Sequence, residues 1–138
     1  MFAKVLVIFC SFIATGCAVP QDYKICSEQD LFGIQSLDID IGSSTVTVTV
    51  DIIPLVTIDA GTIDGKVTRS LFKKDVVVLQ RTYDICDTAE CPLLHNRNIT
   101  VGYDLDAAEV PSGKYDVQMK AYDEDDQILT CVKFDINV

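Results

Sequence analysis

Histidine is nearly missing from this chain: His95 stands alone among 138 residues. Any Ser/His/Asp arrangement would have to be built on that one side chain. It lies in the polar stretch 94–97, with no nucleophile elbow and no glycine-rich partner sequence, so it reads as a solvated loop histidine. No phosphate-binding loop is present. An enzyme is therefore not expected, and no catalytic residue or cofactor is assigned. Basic charge is also scarce, with 11 Lys and Arg against 21 Asp and Glu and a formal charge of −10. That balance argues against nucleic acid and against electrostatic capture by anionic membranes, both of which favour a basic surface. No helical period of useful length, internal repeat or low-complexity segment occurs.

Long apolar runs are missing as well, apart from one near the N-terminus. Lys4 is the only charge before Asp22, residues 5–13 are apolar, and small residues follow at Ala14, Gly16 and Ala18. This is the pattern of a secretory signal peptide, with an apolar stretch too short to span a bilayer. Residues 1–18 are expected to be the leader, cleaved after Ala18 or, alternatively, after Gly16. Residues 19–138 then form one domain. Ala14-Thr15-Gly16-Cys17 also ends in a cysteine of lipoprotein type, but lacks the aliphatic residue expected three positions before it. The mature chain keeps ten basic and 21 acidic residues, a formal charge of −11.

Cys10 and Cys17 leave with the leader, so four cysteines remain: Cys26, Cys86, Cys91 and Cys131. An even number in a secreted chain of this size reads as two disulfides, with three pairings allowed. Proximity favours Cys86–Cys91, which leaves Cys26–Cys131. The short bridge is worth about 2 kcal/mol on a chain-entropy account and the long one about 4–5 kcal/mol. Their spacing does not resemble a zinc ribbon. The acidic run 123–126 lacks the spaced carboxylates and glycine of a calcium loop, so it reads as a hairpin turn and no metal is expected.

What the chain does have is alternation of period two. Leu37, Ile39 and Ile41 alternate with Asp38 and Asp40. Val46, Val48, Val50 and Ile52 alternate with Thr45, Thr47, Thr49 and Asp51, and Pro54 ends the regular pairing. Val56 and Ile58 predict a continuing strand, and Asp59-Ala60-Gly61 and Asp64-Gly65 predict turns. Residues 66–72 read as a strand, 73–75 as a turn, and 76–79 as a strand buried on both faces. Val77, Leu79, Tyr83 and Ile85 share a face on which Arg81 also falls, the one place where the pattern points a charge inward. Ile99, Val101, Tyr103 and Leu105 form a further strand, as do Tyr115, Val117 and Met119 after Pro111-Ser112-Gly113. Ile128, Val132, Phe134 and Ile136 line the last. About seven short strands read as an all-β sandwich or barrel. Asn98-Ile99-Thr100 is a glycosylation sequon, and the strand phase points Asn98 away from the apolar face.

The inward set Val46, Val48, Val50, Val101, Tyr103, Val117, Met119 and Phe134 fits either a dry core or the wall of a lipid cavity, since both use the same residues. Arg81 at the edge of that interior is the candidate for a lipid headgroup, against a bland reading as a strand end or bulge.

Several motifs in order carry a family resemblance: Cys26-Ser27 in an N-terminal arm, the loop 86–91 followed by Pro92-Leu93, Pro111-Ser112-Gly113-Lys114-Tyr115, and the ending 128–134 around Cys131. Together they resemble the ML-domain, or lipid-recognition, proteins. That family includes the Niemann–Pick type C sterol carrier, mite group-two allergens and phosphatidylglycerol/phosphatidylinositol transfer proteins. The chain departs from the pattern at 41–44, where proline is missing, and at His95-Asn96, where a glycine is usual. A third disulfide of some members is also missing. The resemblance implies an immunoglobulin-like two-sheet sandwich with the pairing Cys26–Cys131 and Cys86–Cys91. It also implies a sterol or phospholipid held between the sheets and exchanged with donor and acceptor membranes. The expected protein is a secreted monomer, or one directed to a lysosomal or vacuolar lumen, with a protein receptor as a further partner. The competing expectation is an immunoglobulin-like interaction module with a filled core, serving adhesion or innate immune recognition.

Overall fold

A computed structural model describes residues 19–42, 44–106 and 111–138; the expected leader lies outside the described residues. Among the described residues nine strands follow in order: β1 (Val19–Pro20), β2 (Lys24–Ile25), β3 (Ile34–Ile41), β4 (Thr45–Ile52), β5 (Gly61–Leu71), β6 (Lys74–Asp84), β7 (Ile99–Asp106), β8 (Lys114–Asp123) and β9 (Ile128–Asn137). One helical turn, α1 (Ile85–Thr88), follows β6. Seven strands have eight residues or more; β1 and β2 have two each.

The strands form two antiparallel sheets. One has the order β1-β3-β4-β7 and the other β2-β9-β8-β5-β6. Alternation explains why they face each other. Strand β4 buries Val46, Val48, Val50 and Ile52 and turns its threonines outward. Strand β8 does the same with Tyr115, Val117, Met119 and Ala121. With one apolar face per sheet, the stable arrangement is a sandwich with these faces inside.

Both disulfides pair as proximity favoured. Cys26–Cys131 has a Cα–Cα distance of 4.9 Å and fastens β2 to β9, where the Cys26 amide also donates to the Cys131 carbonyl at 2.8 Å. Cys86–Cys91 spans 5.2 Å and closes the loop beginning in α1. Flanking that loop, Ile85 and Leu93 are fully buried, and Leu93 exchanges two backbone hydrogen bonds with Ile58. Neither bridge links one sheet to the other.

The segment 55–85 departs from the sequence reading in four ways. Val56 and Ile58 do not continue a strand: Val56 is exposed, and Ile58 makes only an isolated bridge to Leu93. Asp64-Gly65 is no turn but lies within β5, where the outer row accommodates Asp64 and the buried Gly65 lets Leu105 and Tyr83 approach. The run 76–79 is not buried on both faces. Strand β6 is a sheet edge, and Val76 and Val77 are 41% and 48% exposed. A register shift between Val67 and Thr68 also puts Val77 opposite Thr68, off the face shared by Leu79 and Tyr83. Ile41 and Ile128 are likewise exposed, Ile128 because the β8–β9 register shifts beside Tyr122.

Candidate functional site

The interior contains a narrow apolar cavity between the sheets, with about 20 Å³ of space open to a water-sized atom. Ile34 of β3, Val50 of β4 and Val101 and Tyr103 of β7 form one wall. Ile63 of β5, Met119 and Ala121 of β8, and Thr130 and Val132 of β9 form the other, with Phe32 ahead of β3. That volume is far below the roughly 300–1,000 Å³ of small-molecule sites. It is a thin slit, with room at its widest for little more than one water molecule.

Three polar groups lie in or beside these apolar walls. Tyr103 is buried and donates its hydroxyl to the Met119 sulfur. Burial first, and the neighbouring Tyr83 second, push its pKa well above that of an ordinary tyrosine, so it stays a neutral donor. Thr130 is 3% exposed, and its hydroxyl finds no hydrogen-bond partner among the described residues. Tyr83 closes the margin where edge strands β6 and β7 meet. Its ring lies 4.8 Å from that of Tyr103, and its hydroxyl donates to the Asp104 carbonyl at 2.6 Å.

The structure separates the residues expected to line a ligand site. Val50, Val101, Tyr103 and Met119 come together at the cavity. Val46, Val48, Val117 and Phe134 are buried in the surrounding core and do not line it. Arg81 does lie opposite Gly65 in the register, on the row shared by Tyr83 and Leu79. Because β6 is an edge, however, its guanidinium is in solvent and donates to the adjacent Gln80 carbonyl at 2.9 Å. It is not part of the cavity wall. Asn98 is exposed just ahead of β7.

Sequence reasoning missed Phe32, Ile34, Ile63, Ala121, Thr130 and Val132 as wall residues. Ile63 was hidden between residues that signal turns. Thr130 was hidden by the register shift near Tyr122, which turns Thr130 inward opposite Ala121 and Ile128 outward. Val132 and Phe134 share the inward phase of β9, and only their position along the strand decides which one meets the cavity.

Two other polar candidates make local hydrogen bonds. His95 is exposed and pairs through Nδ1 with the Thr57 hydroxyl at 3.0 Å. At the turn 123–126, the Asp123 carboxylate accepts from the Asp125 and Gln127 amides, both at 2.9 Å. It thus serves the turn's own backbone. No group of metal-ligating side chains occurs among the described residues.

Residues 20–138 match the ML domain. The chain belongs to the ML-domain family. Over 62 residues it is 34% identical to a phosphatidylglycerol/phosphatidylinositol transfer protein of Debaryomyces hansenii, a match covering 41% of this chain and 32% of that relative. The fold is similar to that of a Niemann–Pick type C2 protein from the Japanese carpenter ant, with a TM-score of 0.52 and 20% identity over 90% of this chain and 94% of the other. It is also similar to chicken MD-1, solved in complex with lipid IVa, with a TM-score of 0.53 and 19% identity over 83% and 86%.

Proposed function

We propose that this ML-domain protein is a secreted lipid carrier, holding a sterol or phospholipid between its two sheets and exchanging it with membranes. The observation that carries this reading is the apolar cavity, walled by both sheets in a chain of this family. Transfer of acyl chain or sterol skeleton from water would supply the driving force, about 0.8 kcal/mol per buried methylene. The slit must widen to take such a ligand. With no disulfide between the sheets among the described residues, the β6–β7 margin can part once the Tyr83–Asp104 hydrogen bond breaks. The unpartnered Thr130 hydroxyl gives a polar atom of the ligand something to bond in an otherwise apolar wall. The four bonded cysteines suit an oxidising compartment.

The thinness of the slit favours a second reading, an interaction module with a filled core. Mass spectrometry of an organic extract of the natively purified protein separates the two. A stoichiometric lipid, or saturable uptake of labelled sterol or phospholipid, supports the carrier. Protein that is empty and takes up neither label sinks it.

A further inference from the structure

The hairpin joining β5 and β6 projects from the sandwich. Strand β5 pairs with β8 only from Gly61↔Asp123 to Thr68↔Asp116. Beyond that, Arg69↔Val76, Ser70↔Asp75 and Leu71↔Lys74 are paired within the hairpin alone. Three residues of strand and the turn extend this arm roughly 10 Å past the last β8 partner, at about 3.4 Å per residue. Its base is held by the Arg69 guanidinium over the Tyr115 ring, 5.6 Å from the centroid.

The tip is built against local preference. The two residues between Leu71 and Lys74 are Phe72 and Lys73, with φ of 52° and 66°. A two-residue turn with both φ positive normally holds asparagine or glycine. A bulky aromatic in this region is rare, and such backbone outliers persist where something else depends on them. The effect here is to present Phe72, which is 99% exposed, at the outermost point. Leu71, Val76 and Val77 are exposed behind it, and Lys73 and Lys74 flank it.

We infer that this tip is a docking element for a lipid surface carrying anionic headgroups. An apolar side chain at the apex with two lysines beside it matches a bilayer interface, where the ring enters the headgroup boundary and the ammonium groups meet phosphate. The net charge of the chain is −10, but screening limits its reach to about 8 Å at physiological ionic strength. Lys73 and Lys74 at the end of a projecting arm therefore act locally, against Asp75 as the adjoining acid. A protein partner would fit the exposed apolar residues equally well; the paired lysines favour the lipid. The inference goes beyond the carrier reading and needs no lipid between the sheets.

Vesicle flotation of the full protein tests it, with phosphatidylcholine vesicles and with vesicles that also contain phosphatidylglycerol. The wild type should float with the anionic vesicles and more weakly with the neutral ones. Phe72→Ser should lose about tenfold on both. Lys73→Gln and Lys74→Gln should each lose about fivefold on the anionic vesicles only. Thermal unfolding of the variants checks that they fold, as full exposure of Phe72 leads one to expect. The chain has no tryptophan, so Phe72→Trp places a single reporter at the apex. Its emission should shift to the blue on anionic vesicles. Wild-type protein that ignores both vesicles, variants that bind as well as wild type, an unshifted emission, or self-association through Phe72 without vesicle binding would each overturn the assignment.

Discussion

Tyr83 and Asp104 join the two sheets at one margin: the Tyr83 hydroxyl donates to the Asp104 carbonyl oxygen at 2.6 Å. Edge strands β6 and β7 carry these residues, so the hydrogen bond bridges the two sheets at their margin. Tyr83→Phe keeps the ring against Tyr103 and removes only the bond. Stability should fall by about 1 kcal/mol, read as a lower denaturation midpoint. In the carrier reading, uptake of labelled lipid should also become faster. Unchanged stability together with unchanged uptake would show that the bond does not hold the margin.

Two glycines of β5 should respond in opposite ways to alanine. A Cβ at Gly61 would stand 2.1 Å from the Tyr122 carbonyl oxygen, so the β5–β8 backbones must separate. At Gly65 the nearest atom is 3.8 Å away, an ordinary contact. Gly61→Ala should cost about 2–4 kcal/mol, in the upper range of single substitutions. Gly65→Ala should be neutral or stabilising by up to about 1 kcal/mol, through the lower entropy of the unfolded chain. Denaturant unfolding of the pair checks both.

Thr130→Val replaces a buried hydroxyl that finds no partner among the described residues with a methyl group of similar size. An unsatisfied buried hydroxyl costs about 1–3 kcal/mol, so the empty protein should gain about 1 kcal/mol. The gain should shrink when a ligand with a polar group is bound. Calorimetric unfolding with and without ligand measures both terms.

Asp116 faces Asp135 across β8 and β9 on the outer side of the five-stranded sheet. A hydrogen bond between the carboxyl groups raises the Asp116 pKa. Desolvation and the charges of Asp135 and Asp75 add to the rise, and Lys114 opposes it. The folded state thus binds the Asp116 proton more tightly than the unfolded chain does. The resulting stabilisation is fully present below the ordinary aspartate pKa and is lost as pH rises through the elevated folded value. Asp116→Asn should therefore be more stable than wild type at neutral pH. That advantage should disappear on acidification toward the ordinary aspartate range, as followed by unfolding midpoints across the window.

The strands were legible wherever one face is buried and the other solvated. The Val/Thr alternation of β4 and the Val101, Tyr103, Leu105 row of β7 were readable for that reason. Reading failed where tertiary context overrides local preference. Gly61 and Gly65 look like turn residues but sit in a long strand, Gly61 where the Tyr122 carbonyl approaches too closely for a side chain and Gly65 on the buried row. The valines of β6 look like a buried run but lie on an edge. Half of the predicted apolar site set lines the cavity. The rest was not separable, because period two fixes which face a residue takes but not how far along the strand the sheets leave a gap. Register shifts beside Thr68 and Tyr122 carry no mark in composition, and each changes which neighbours point inward.

Both disulfides stay within one sheet or one loop, and this has a mechanical consequence. Among the described residues, the two leaves are joined covalently only by the connecting backbone, while Cys26–Cys131 staples the N-terminal arm to its own leaf. Spreading the leaves stretches no sulfur bridge and requires no reduction. The covalent framework of the described residues therefore fixes each leaf and sets no sulfur tether across the gap, so in the carrier reading the spacing could change without any chemical step.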